Sequence, residues 1–137
     1  MKAAILLTLG LGLAAVLSGC LSGGQCGANT HSNGLDFGCQ VASKNGTMTY
    51  TFKNAFGAAQ VTMGSQIASG TLTVTVKDGG GVTVFEQTYT GARQAGESST
   101  RAGSPGTWTV VLKFQDVTGQ IGLEVNGRAT GGGGLLG

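Results

Sequence analysis

Thr71-Leu72-Thr73-Val74-Thr75-Val76-Lys77-Asp78-Gly79-Gly80-Gly81 decides the fold class. Leu72, Val74 and Val76 fall on one face of an extended chain, and Thr71, Thr73, Thr75 and Lys77 on the other. A period of two with β-branched residues on both faces predicts a half-buried strand. Asp78-Gly79-Gly80-Gly81 then predicts a hairpin reversal, because glycine takes positive φ at no steric cost. The alternation recurs outward from this stretch. Met48, Tyr50 and Phe52 alternate with Thr47, Thr49, Thr51 and Lys53, and Val61, Met63 and Ile67 repeat the pattern sparsely. Trp108, Val110, Leu112 and Phe114 alternate with Thr107, Thr109, Val111 and Lys113, and Ile121, Leu123 and Val125 form a closing strand. Val82 to Thr90 breaks parity, with Val82 and Val84 on one face and Phe85 and Tyr89 on the other. That predicts either two partly covered faces or a bulge.

Residues 91–103 are polar and read as a loop or a polar edge strand, while Ser104-Pro105-Gly106 and Asp116 to Gly119 read as turns. Strands at spacings of roughly 8–12 residues, about 6–8 of them, predict an all-β antiparallel sandwich. No helical stretch follows the N-terminal segment. The chain has 137 residues with 27 Gly and one Pro, a composition suited to short strands and many turns. One domain of this size buries roughly two-thirds of its unfolded surface and needs no extra staple. Lys and Arg number 8 against 6 Asp and Glu, scattered without a basic stripe. Nucleic-acid binding requires clustered cations to displace counterions, so no nucleic-acid partner is expected.

The N-terminus carries an address. Lys2 supplies one positive charge, and Ala3 to Val16 is an apolar run broken only by Thr8, Gly10 and Gly12. It is shorter than the ~20 apolar residues that span a bilayer, and reads as the helical core of a cleaved signal peptide. It closes on Leu17-Ser18-Gly19-Cys20. These four residues resemble the lipobox of bacterial lipoproteins. The resemblance implies cleavage before Cys20, a diacylglyceryl group on its sulfur, and often a further acyl chain such as palmitate on the new amino terminus. Each buried methylene contributes ~0.8 kcal/mol, and two or three chains give firm attachment. Leu21 stands where an Asp would mark inner-membrane retention in that family. The expected location is therefore the outer membrane of a Gram-negative host, or otherwise the outer face of the cytoplasmic membrane. A second resemblance covers Gly103 to Val125: a Pro-Gly turn, Gly-Thr-Trp, an alternating strand, a short turn and a closing strand are similar to the end of many bacterial extracytoplasmic β-sandwich modules.

Cys26 and Cys39 remain as an even pair in an oxidising compartment. A disulfide closing a loop of roughly 14 residues would contribute on the order of 3 kcal/mol. The alternatives are free or intermolecular thiols, or a metal held by Cys26, His31, Asp36 and Cys39. Those four have the chemistry of a tetrahedral zinc site but not the pair spacing of a zinc finger. No metal or cofactor is expected. His31 is the only imidazole and reads as a solvated surface residue.

Enzyme signatures are missing. There is no Gly-x-Ser-x-Gly and no phosphate-binding Gly-x-x-x-x-Gly-Lys. Asp36, Asp78 and Asp116 sit in Gly-containing turns, where carboxylates bond to backbone, without the spacing of a calcium loop. Trp108 and Tyr50 share parity with core residues, whereas Phe56 and Tyr89 are the candidate exposed rings of a binding platform. The expected organisation is a signal peptide at 1–19, a lipidated tether with a disulfide-closed loop at 20–45, a sandwich at 46–128 and a flexible Gly-rich tail at 129–137. The expected role is a non-catalytic binding or assembly module of the cell envelope, held to the membrane by lipid on Cys20, with an envelope protein or polysaccharide as partner. A carbohydrate- or peptidoglycan-binding surface module, and an accessory or inhibitor of an envelope enzyme, are the alternatives.

Overall fold

The computed structural model describes residues 25–129, apart from the side chains of 92–95. The signal segment, Cys20 and the tail from residue 130 lie outside the described residues. Five strands follow one another: β1 (Gln25–His31), β2 (Gly34–Asn54), β3 (Ala58–Lys77), β4 (Thr83–Ser99) and β5 (Gly106–Arg128). They form one antiparallel sheet in the order β1-β2-β5-β3-β4.

Four of these strands are too long to stay flat, and all four bend at the same level. β2 shifts register between Val41 and Lys44 and again before Gly46, and β3 shifts on both sides of Ser69. Both irregularities face the same part of β5, since Gly46 pairs with Phe114 and Thr71 pairs with Gln115. Positive φ angles gather there, at Ser43, Gly46, Gly70, Gly91, Asp116 and Gly119. An extra residue in one strand bends it and raises its twist, so bulges aligned across a sheet make a corner. The sheet folds along that line into two facing layers. The first holds β1, 34–41, 119–128, 58–67 and the second half of β4. The second holds 46–54, 106–114, 71–77 and 83–90. The Phe37 ring of the first layer meets the Tyr50 ring of the second, with centroids 5.6 Å apart. At the open end Ala55 N donates to Asn33 Oδ1 at 2.8 Å.

The core is what the alternation demands. Leu72, Val74, Val76, Trp108, Val110 and Leu112 are fully buried in the second layer, facing Leu35, Val61, Ile67 and Val125 of the first. The outward threonines are the polar residues that best tolerate an extended backbone. The antiparallel all-β sandwich expected from sequence is thus what the chain forms.

Two details of the sequence reading are corrected, and two alternatives it left open are resolved. Residues 25–41 do not belong to a tether and loop: they form β1 and the first part of β2, so the sandwich begins at Gln25 and not at residue 46. Leu35, Phe37, Cys39 and Val41 alternate inward, with Gly38 and Gln40 between them, and this file gives the segment a core to pack on. Asp116 to Gly119 is a corner inside β5, not a reversal, because the chain continues into the other layer. Val84 is the bulged residue of β4, since Phe85 pairs with Val76 and Thr83 with Lys77, and the bulge turns both Val84 and Phe85 inward. Residues 91–99 take the polar edge-strand option.

Candidate ligand face

The outer face of the first layer is ordered in rungs, each made of residues that stand opposite one another on neighbouring strands. Gln25 pairs with Gln40, Gln40 with Gln120, and Gln120 with Gln66. All four glutamines are exposed. Two residues further along each strand, Gly27 pairs with Gly38 and Gly38 with Gly122. Gly64 lies against Gly122, where an added Cβ would stand 2.8 Å from Gly64 O. The next rung is acidic and polar: Asn29, Asp36, Glu124, Thr62 and Glu97. With strands ~4.8 Å apart, the four glycines make a floor about 14 Å long across the sheet.

This floor is a depression of about 550 Å³ lined by the Gln25, Gln40 and Gln120 side and by the glycines. A second depression of about 280 Å³ shares Gly64 and Gly122 with it and opens towards Asp36 and Glu124. Glycine inside a strand lacks packing and weakens it, and it often marks a place where a ligand or another backbone comes close. At Gly27, Gly38 and Gly64 the fold supplies no reason for glycine: none has a left-handed φ, and no atom lies within 4 Å of where a Cβ would stand. The missing side chains leave bare peptide planes between an amide wall and an acidic wall. A glutamine amide offers two donors and an acceptor, and a carboxylate accepts strongly from hydroxyls. Asp36 and Glu124 stand side by side on an open face, not across an enclosed cleft.

Cys26 and Cys39 are cross-strand partners joined as a disulfide, and tie edge strand β1 to β2 beneath the glutamine rung. Their sulfurs are committed to each other. Among the described residues no group of three or more His, Cys, Asp or Glu is placed to hold a metal. His31 ends β1 on the surface, with Nε2 3.6 Å from Asp36 Oδ1.

Asp78 is a structural residue. Its Oδ1 accepts from Gly80 N at 2.9 Å and Val82 N at 2.8 Å, and its Oδ2 accepts from Ser104 N at 2.8 Å. The Ser104 and Val82 bonds, above all, hold its carboxyl below the ordinary value of 3.8. Ser104 O in turn accepts from Trp108 Nε1 at 2.8 Å, so this carboxylate fixes the β4–β5 loop over the core tryptophan. Both oxygens are occupied by backbone donors, as ordinary turn chemistry requires. Asp116 instead sits at the corner, where its N–H donates to Asn45 Oδ1 at 2.9 Å.

Tyr89 is not a binding platform: it is 6% exposed, opposite Leu72, and burial raises its phenol pKa above 10.0. The bulge at Val84 sets this parity. Phe56 is exposed in the β2–β3 loop, at the open end and away from the glycine floor, with its N–H on Asn54 Oδ1. Trp108 and Tyr50 pack in and against the core as expected. The floor itself was out of reach of sequence reading, because its glycines meet only through the register of four strands.

No protein-family model matches the chain, and no curated protein matches it. A solved structure described as "CBM4 structure and function" is similar to it over 78% of this chain and 79% of that one, with 8% identity and a TM-score of 0.45.

Proposed function

We propose that the protein is a non-catalytic glycan-binding module of the bacterial cell envelope, held to its membrane by lipid on Cys20. The observation that carries the ligand is the glycine floor. Three glycines that the fold does not require open a trough across the sheet, between glutamines and carboxylates that suit hydroxyl groups. One face of a sugar ring can approach bare peptide planes as it could not approach side chains. The acidic rung disfavours uronic acids and other anionic chains, so the ligand class is a neutral or amino-bearing polysaccharide. The anchor rests on Leu17-Ser18-Gly19-Cys20 at the end of a signal-like segment.

The test is retention of the full chain, in detergent, on immobilised neutral and acidic polysaccharides and on peptidoglycan, alongside Gly38→Leu and the pair Gln40→Ala with Gln120→Ala. All three substitutions point outward and leave the core intact. Retention on a neutral polymer, weakened at least about tenfold by Gly38→Leu, a loss of ~1.4 kcal/mol, is the expected result. Retention unaffected by filling the floor, or none on any glycan, overturns the proposal.

A further inference from the structure

The sequence contains three Asn-Gly pairs, Asn33-Gly34, Asn45-Gly46 and Asn126-Gly127. This dipeptide is prone to internal imide formation, because glycine places no Cβ in the path of its own nitrogen. The three are equal by sequence and unequal in the fold. We infer that Asn45 is a site of spontaneous deamidation in the folded protein, and that the fold protects Asn33 and Asn126.

The reaction is balanced by water alone. The Gly46 backbone nitrogen, once deprotonated by solvent hydroxide, attacks Cγ of Asn45. The N–Cγ bond forms, the Cγ–Nδ2 bond breaks, and the amide leaves as ammonia after taking a proton from water. Water then opens the five-membered imide at either carbonyl and leaves an aspartate or an isoaspartate. Nothing is oxidised or reduced.

Asn45 meets the needs of this step. It is exposed, and it is the residue left without a register partner in the shift between Lys44 and Gly46, next to the point where the ladder resumes with Gly46 opposite Phe114. Gly46 is exposed at φ 118°, with no atom within 4 Å of where a Cβ would stand, so the nitrogen has room to swing towards Cγ. Asn45 Oδ1 accepts from Asp116 N at 2.9 Å. Asn33 Oδ1 accepts from Ala55 N in the same way at 2.8 Å, so this bond does not separate the two sites.

The other two pairs are held. The Gly127 nitrogen donates its proton to Asn33 O at 2.7 Å, so the Asn126 nucleophile is engaged. Asn126 also stands in β5 between Gly34 and Gln60, with strands on both sides. Asn33 is held through that same carbonyl, which accepts from Gly127 N. Its following Gly34 is buried, and an added Cβ there would stand 2.3 Å from the His31 ring, so the peptide has no room to rotate.

The test uses the unaltered full chain in detergent, held folded at mildly alkaline pH and, in parallel, unfolded in urea. Peptide mapping then follows the gain of one mass unit and the isoaspartate at each pair. In urea all three are expected to convert at similar rates. In the folded chain Asn45 is expected to convert at least about tenfold faster than either other site, a factor worth ~1.4 kcal/mol of barrier. Conversion at Asn33 or Asn126 that matches or outruns Asn45 in the folded chain overturns the assignment, as does an Asn45 that stays intact when folded while converting in urea.

Discussion

Asp78 shows how one side chain can hold two loops. Its carboxylate gathers three backbone N–H groups from the β3–β4 turn and the β4–β5 loop. Gly79 and Gly103 crowd the same knot, since a Cβ at Gly79 would stand 2.2 Å from Pro105 O. Because these bonds lower the folded-state pKa, the stability they contribute is fully present above the unfolded value, near 3.8, and is lost as pH falls through the lower folded value. An Asn at this place keeps an acceptor for the turn but points an N–H₂ at Ser104 N. Asp78→Asn is therefore expected to lower the melting temperature at neutral pH and to flatten its fall below pH 3.8, read by calorimetry across an acid series. Parallel acid profiles for the two proteins would remove Asp78 from this role. That Asp78 caps a turn was legible in Asp78-Gly79-Gly80-Gly81; its reach to Ser104 was not, because that bond crosses 26 residues.

At the scale of elements, strand β1 is the weak member. It pairs with β2 alone, and its inward residues Cys26 and Ala28 are only partly buried. The disulfide compensates by binding its first turnless residues to Cys39, next to the centre of the sheet. A 13-residue separation corresponds to about 3 kcal/mol of loop entropy. Replacing both cysteines by serine is expected to lower stability by about that amount, and to speed hydrogen exchange in residues 25–31 before any other strand. Uniform exchange across all strands would mean that β1 does not detach on its own. The glycine floor predicts the opposite sign. Gly38→Ala fills open space on a regular strand and is expected to stabilise the fold by ~0.5–1 kcal/mol while weakening ligand retention. A destabilised variant in urea titration would mean that the fold does need glycine at this position. Strands with Thr outside and aliphatic residues inside announce themselves in sequence, as at 47–53, 71–77 and 107–114. Residues 34–41 do not, because Gly34, Gly38 and Asp36 dilute the β signal. Nor do the bulges, which fuse neighbouring strand segments such as 58–67 and 71–77 into one bent strand.

The whole molecule has a polarity that follows from the fold line. Gln25 pairs with Gln40 beside the corner, so the chain enters the sandwich at its folded edge. The β1–β2 hairpin, the loops at 55–57, 78–82 and 100–105, and the end of β5 all lie at the opposite, open edge. Gln25 is also a wall of the trough. Five residues of extended chain reach at most about 17 Å, so a lipid on Cys20 would hold Gln25, the first member of the glutamine rung, within that distance of the membrane surface. The proposed ligand would then lie low over the lipid headgroups, with the loops facing outward. Anchor and trough are nevertheless built from separate residues, since every rung residue lies between Gln25 and Glu124. Cys20→Ala is therefore expected to move the protein from the membrane pellet to the soluble fraction while leaving the melting temperature and the affinity for a soluble oligosaccharide unchanged, since it alters no residue of the core or of the rungs. Fractionation of cells expressing each form, followed by calorimetry and titration on the purified chains, reads the three quantities separately. A variant that still sediments with membranes would locate attachment outside Cys20. One that is released but loses its ligand would mean that the membrane surface itself forms part of the binding site.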